Sequence, residues 1–432
     1  MPDDAIETRI PTSCPASISE ILHRAWQHDL ASLKPLLSVP GRASVQEPTT
    51  GETPLHAAIR SCGARAADGN EGDVEAAEKV VHELFLSGAI WNDVDSNNET
   101  PGCVAARLGL DALYNLCVGA GMRAELLFRL LDGYEALESD VEDEDEDGVE
   151  VEAEAGEAGA EESAEDKQQD APEDIILESD PDRAFSPPQR AEGTTVTSVA
   201  YLRANLTYSD GKLVDDEKNG VMMAWETSIM RSSVDALLPG LAAGKRVLNV
   251  GFGMGIIDAM FRETRPSRHH IIEAHPEVLK HVESSPDSQF GKDWEASGPG
   301  EGAFKIHAGK WQEVVPGLLE RGELYDAIYF DTFGEDYSQL RMFFTEYVPA
   351  LLDEGGIFGF FNGLGADRKV CYDVYTKVAE MHLTDAGLDI EWNELDVDMK
   401  GLEEDGKGEW HGVKRRYWTL DKYRLPIITL MG

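Results

Sequence analysis

The chain is short of positive charge, of cysteine and of long apolar runs. Its 432 residues carry 38 Lys and Arg against 82 Asp and Glu, a formal net charge of −44. Binding nucleic acid by neutralising phosphates needs clustered Lys and Arg, so no nucleic-acid partner is expected. The five cysteines (Cys14, Cys62, Cys103, Cys117 and Cys371) are scattered, odd in number and never spaced C-x-x-C. That pattern fits reduced thiols inside a cell better than a disulfide framework. No stretch approaches the ~20 apolar residues of a membrane-spanning helix. Met1-Pro2-Asp3-Asp4 offers neither a basic start nor an apolar core, so no secretory signal is expected. The expectation is a soluble monomer of the cytoplasm and nucleus that touches no membrane.

The acidity that is present is partly local. Residues 138–166 hold 16 Asp and Glu with no Lys or Arg, and residues 138–180 account for −20 of the charge. Residues 137–190 cannot bury enough apolar surface to offset their ordering entropy, and read as a disordered acidic linker. The Ile175-Ile176-Leu177 cluster inside it is a candidate local docking point. The flanking parts remain acidic. They suit a basic protein partner, the alternative being that the charge serves solubility alone.

Residues 1–136 are helix-rich and contain a weak repeat. Gly51-Glu52-Thr53-Pro54-Leu55-His56-Ala57-Ala58 resembles the opening of an ankyrin repeat, and Asn97-Asn98-Glu99-Thr100-Pro101 restarts it 47 residues later. The standard period is about 33 residues, so a polar insertion around residues 64–73 must supply the excess. Pro opens the first helix, small alanines let paired helices approach, and Gly88 stops the second helix. A generic helical hairpin bundle is the other reading. His56 is expected as a hydrogen-bonding turn residue, and no metal site is expected.

Residues 191–432 alternate apolar runs with helical patterns, as an α/β sheet does. Val247-Leu248-Asn249-Val250-Gly251-Phe252-Gly253-Met254-Gly255-Ile256-Ile257 reads as a buried strand, a tight turn and a helix start. Glycines there let a ligand approach the backbone. A dinucleotide fold wants G-x-G-x-x-G, but Ile256 stands where the third glycine belongs, which argues against a nicotinamide dehydrogenase. The spacing present, G-x-G-x-G, is common in S-adenosylmethionine-dependent methyltransferases.

Further acids fall where such a site needs them. His269-His270-Ile271-Ile272-Glu273 is an apolar run ending in a carboxylate 22 residues after Gly251, placed to accept ribose hydroxyls. Tyr325 to Phe333 is a strand ending at Asp331, followed by a buried strand through Phe360; these read as the fourth and fifth strands of a doubly wound sheet. Ligands are expected at the carboxyl ends of such strands. Asp331 could instead cap the next helix. Glu226, in Met222-Met223-Ala224-Trp225-Glu226-Thr227, sits among apolar neighbours and needs donors or a cation. With Asp331 it would make a two-carboxylate pocket for a guanidinium, which pairs bidentately with carboxylates.

Val221 to Thr227, Val247 to Ile256, Ile271-Ile272-Glu273, Gly309-Lys310-Trp311 and Tyr329-Phe330-Asp331-Thr332 together resemble the guanidinoacetate methyltransferase group. With the N-terminal ankyrin-like region, the chain resembles the fungal protein arginine N5-methyltransferases (type IV). The resemblance implies a Rossmann-like class I methyltransferase sheet behind an all-α ankyrin-like region. It implies that Gly251, Phe252, Gly253, Met254, Gly255 and Ile256 line the methionine part of S-adenosylmethionine. Glu273 would hold the ribose, with Ala274 and His275 beside it, and Lys310 and Trp311 would border the adenine. Tyr208, Met222 and Met230 would close over the cofactor. Glu226 and Asp331 would take the guanidinium, Asp331 also touching the cofactor. Many methyltransferases carry an acid where this chain has Asn249, whose amide could still bond around the cofactor's amino group. The implied reaction is methylation of the internal (δ, N5) nitrogen of arginine in a basic protein; the family suggests a ribosomal protein. A small-molecule guanidino methyltransferase and a non-catalytic ankyrin adaptor are the alternatives.

Overall fold

The computed structural model describes residues 4–66, 73–139, 197–209, 211–285, 288–403, 408–414 and 416–432. The acidic linker, with its Ile175-Ile176-Leu177 cluster, and most of the polar insertion lie outside them. Residues 1–125 and 194–432 form one compact unit; residues 126–193 form a second.

The N-terminal part is helical, with helices at Ala16–Trp26, Leu30–Leu37, Pro54–Ala66, Asp73–Leu86, Pro101–Arg107 and Asp111–Ser139. Thr100 caps its helix by accepting from Cys103 N at 3.2 Å, with Pro101 at the first helical position. Gly88, at φ +86°, ends the Asp73–Leu86 helix, and Ala89 N donates back to Leu84 O at 2.9 Å. His56 is buried; its ring bonds Thr53 Oγ1 at 2.8 Å and Glu99 O at 3.0 Å, tying two successive turns together. Arg60, with no exposed surface, is held by Glu52 at 3.2 Å and by Asp4 and Asp95. A guanidinium survives burial only with such partners. Among the described residues no group of His, Cys, Asp and Glu could hold a metal, and no helix is long and apolar enough to cross a membrane.

Among the described residues ten strands follow: β1 (Thr207–Ser209), β2 (Lys212–Val214), β3 (Gly220–Met223), β4 (Arg246–Val250), β5 (Arg268–Glu273), β6 (Phe304–Ala308), β7 (Tyr325–Phe330), β8 (Leu352–Phe360), β9 (Leu388–Asp396) and β10 (Lys422–Leu430). β1 to β3 make a small antiparallel sheet. The other seven form one sheet in the order β6-β5-β4-β7-β8-β10-β9. β4 to β8 pair in parallel and β10 runs antiparallel to both its neighbours, so the sheet is mixed. The runs at 325–330 and 352–360 are its fourth and fifth strands in chain order.

Helices cover both faces, so β4 is buried from Val247 to Val250. The Thr227–Leu237 helix buries Ile229, Met230, Val234 and Leu237 at helical spacing. Met230, Met222, Val247, Phe261 and Tyr329 share that core. On the same face, over β5 and β6, Phe252, Ile271, Val278, Phe290 and Trp294 continue it as a second cluster. Chain order reverses between β4 and β7, so the crevice for a ligand opens at the carboxyl ends of β4, β5 and β7.

Candidate active site

Gly251 leaves β4 at φ +94°, a conformation few side chains tolerate. A Cβ there would stand 1.9 Å from the carbonyl oxygen of Asp331. The turn and the end of β7 are therefore pressed together, and Asp331 N donates to Val250 O at 2.8 Å. Gly253 and Gly255 also have positive φ. Met254 N points at the Met222 sulfur, 3.2 Å away, and Tyr208 donates to Gly253 O at 3.3 Å while stacking on His281. The Phe252 ring turns away from the crevice into the core beneath, and only its backbone faces the rim.

Asn249 sits directly beneath the turn. It is fully buried, and its Nδ2 donates to Gly251 O at 2.8 Å and to Asp258 at 2.7 Å. Asp258 in turn bonds His269 at 2.9 Å. Through Nδ2 the amide braces the turn from below, because strand parity points it at the helix after the turn; its Oδ1, the acceptor an amino group would need, is buried with no hydrogen-bond partner among the described residues.

Glu273 ends β5 beside this turn. Its Oε2 accepts from Phe252 N at 2.9 Å and Gly253 N at 3.4 Å, and its Oε1 from His275 N at 2.6 Å. Burial nevertheless pushes its pKa up, against these backbone bonds. The His275 ring is buried and taken up by capping: it accepts from Glu277 N at 3.1 Å and bonds Tyr201 O at 2.9 Å. Ala274 is half-buried on the rim. Lys310 is exposed after β6. Trp311 is buried against Phe330, Phe343 and Tyr347, its indole N–H donating to Glu335 at 3.1 Å. Met230 has no exposed surface and lies behind Met222 in the core. Ile256 begins the helix after the turn.

Glu226 and Asp331 meet at the other side of the turn. Glu226 is 2 % exposed; its Oε1 accepts from Met223 N at 2.9 Å and from the Tyr417 hydroxyl. Burial raises its pKa, the nearby Asp331 charge raises it further, and the Tyr417 and Met223 bonds oppose both. Burial likewise raises Asp331. Asp331 Oδ2 is buried with no hydrogen-bond partner among the described residues. Two buried carboxyl groups, one with an unpaired oxygen, are suited to a planar donor cation.

Sequence reasoning missed the C-terminal half of this pocket. Trp410, Tyr417 and Trp418 pack around Trp225, at centroid distances of 6.3, 6.1 and 5.8 Å, and Glu409 accepts from Trp225 N at 2.8 Å. The one signal available was an unusual density of aromatics between charged residues at 410–418.

The strand order, the glycine turn with Glu273 beside it, and the acid at the end of β7 define a Rossmann-like methyltransferase, and its cofactor is S-adenosyl-L-methionine. A profile of the guanidinoacetate N-methyltransferase family matches residues 197–391. The chain is 61 % identical over 433 residues to protein arginine N-methyltransferase 2 of Neurospora crassa, covering 100 % of this chain and 99 % of that one. It is 59 % identical to the Gibberella zeae protein of the same name, covering 97 % and 94 %. The corresponding Emericella nidulans protein is 47 % identical, with 95 % and 96 % covered. The chain belongs to the protein arginine N-methyltransferase 2 family.

Proposed function

We propose that this protein methylates the internal (δ, N5) guanidino nitrogen of an arginine residue in a basic protein, of which a ribosomal protein is one kind. The observation that carries this reading is the buried Glu226–Asp331 pair, pressed against the glycine turn with an unpaired carboxylate oxygen. When bound, S-adenosylmethionine supplies an electrophilic methyl group. Glu273 and the backbone of residues 251–256 would hold it, with Tyr208 and Met222 above the turn.

The protein's own task is the nucleophile. Glu226 and Asp331 would take N–H groups of the terminal nitrogens, leaving the internal nitrogen to face the turn. Transfer replaces an N–H proton by a methyl group, so one proton must leave. A carboxylate whose pKa is raised by burial is well matched to accept it near neutral pH. Positioning and fixed charge then supply most of the rate, with no metal.

We read the N-terminal helix pairs, each opened by a Thr-Pro cap, as ankyrin-like repeats. Such stacked pairs offer an extended surface to a protein partner. We further read residues 1–136, 137–190 and 191–432 as repeat region, linker and catalytic domain of a monomer of the cytoplasm and nucleus. The guanidinoacetate profile match favours a second reading, a small guanidino compound as acceptor.

One experiment separates these. The protein is incubated with labelled S-adenosylmethionine and either a basic protein extract or guanidinoacetate. Labelled protein is then fragmented in the mass spectrometer. Methyl on the internal nitrogen is expected. Methyl only on terminal nitrogens rejects the N5 assignment, transfer only to guanidinoacetate favours the second reading, and no transfer to either leaves an adaptor.

A further inference from the structure

The segment Gly408–Thr419 lies beyond residues 197–391, the range matched by the guanidinoacetate profile, yet it forms a wall of the carboxylate pocket. It is fastened at several points. Lys212 donates to His411 O at 2.8 Å, Lys414 N to Lys218 O at 2.9 Å, and Thr419 N to Ala366 O at 3.0 Å. Glu409 holds Trp225 N, and Trp418 is fully buried. The Tyr417 ring lies against β3, its Cε1 3.0 Å from where a Cβ on Gly220 would stand. A side chain there would press on the ring and need it to shift by a few tenths of an ångström. These contacts fix the Tyr417 hydroxyl on Glu226.

Both hydrogen bonds recorded for Glu226 fall on the same oxygen, Oε1. We propose that Tyr417 is a positioning residue: with Met223 N it saturates Oε1 of Glu226 and so presents Oε2 to the acceptor guanidinium. This rests on the reading of Glu226 as a guanidinium ligand. Burial and the charge of Glu226 push the Tyr417 pKa well up, so the phenol keeps its proton and is the donor. Its bond favours ionised Glu226 against burial and against Asp331. The other ionisable groups acting on Glu226 are Glu409 on the same segment, Tyr329 on β7 and Tyr423 on β10. All are acids, so their ionised forms only raise Glu226 further. The Tyr417 hydroxyl therefore helps decide the pH at which the pair can accept a proton.

The test is Tyr417→Phe in the full-length protein, read as the pH profile of methyl incorporation into a basic extract from cells lacking this protein. The ring and its packing on Trp225 and Trp410 stay. The expected result is unchanged S-adenosylmethionine affinity, an acid limb moved to higher pH, and an about 10-fold lower rate at pH 7 that recovers in part above the new limb. As a second variant, 3-fluorotyrosine at position 417 keeps the shape but donates more strongly, and should move the limb to lower pH. Glu226→Gln is the control for the parent reading. If it is inactive while both Tyr417 variants keep the wild-type limb, or lose rate equally at every pH, the Tyr417 proposal is wrong. If Glu226→Gln is fully active, the guanidinium assignment fails and takes the Tyr417 proposal with it.

Discussion

Two buried carboxyl groups in one pocket resist being ionised together, since each is desolvated and each repels the other. Glu226 and Asp331 are in that position, and a cation between them would relieve it. Glu226→Gln and Asp331→Asn should each lower kcat/KM by about 10²–10³. The double variant should lose little more, because the two act on one group. The pair also costs stability, and the sign can be worked out. An unfolded carboxyl ionises near pH 4, whereas these stay protonated to higher pH in the fold. Between those values the unfolded chain releases protons that the folded chain keeps, so stability falls as pH rises through the window. Asp331→Asn, which cannot ionise, should therefore melt a few degrees above wild type at pH 8, the gap closing toward pH 4. A cofactor-free thermal scan of both proteins across pH checks this. An equal Tm at pH 8 would sink the claim that Asp331 is held uncharged.

At the scale of elements, the glycine turn works because β7 crowds it. Gly251→Ala would drive a methyl group into the Asp331 carbonyl, which is backbone and cannot swing aside. Gly253→Ala meets the Met222 thioether end at 2.7 Å, which is flexible. The first substitution should abolish detectable S-adenosylmethionine binding by calorimetry, and the second should weaken it about 10-fold. Comparable losses from both would mean that backbone strain, and not the β7 contact, dominates. This turn, the acids closing β5 and β7, and the fourth and fifth strands could all be read in the sequence. Each is a short local pattern whose neighbours in the fold are also neighbours in the chain or lie at strand ends. The role of Asn249 could not, because its partner Asp258 is set by which way β4 faces the following helix. Tyr417 and Glu409 were hidden for a different reason. They lie in a segment without periodicity, and only tertiary contacts carry it across some 190 residues to Glu226. Met230, placed over the cofactor by the family resemblance, is turned into the core by helical phase.

At the scale of the whole molecule, the helical region meets the sheet domain at the helix Lys369–Asp385 and at Arg368 before it, which donates to Asn98 Oδ1 at 2.8 Å. Val370 fills the space over Gly102, and Val374 the space over Gly121. Asp373 sits between them in sequence and collects Tyr114 at 2.5 Å, Lys369 at 2.6 Å and Arg424 of β10 at 2.7 Å. Burial alone would raise its pKa, but the bonds from Lys369 and Tyr114 and the Arg424 charge hold it below the ordinary carboxylate value. Its stabilisation is thus present above about pH 4 and is lost as pH falls through the lowered value. The contact also reaches the pocket wall. Tyr372, on the same helix, accepts from Asn362 Nδ2 at 3.2 Å, and the Tyr423 hydroxyl accepts from Asn362 N at 3.0 Å, just past the end of β8. Gly102→Val would place a branched side chain 2.6 Å from Val370 Cγ2, in a joint with no slack. It should cost about 1–3 kcal/mol and split a single calorimetric transition into two, the helical region melting first. If the interface serves only stability, the variant should methylate at the wild-type rate below its first transition. If the helical region braces the carboxyl ends of β8 and β10, kcat should already have fallen at 25 °C while S-adenosylmethionine affinity stays unchanged. A single transition at the wild-type temperature would show that the two parts do not rely on this joint.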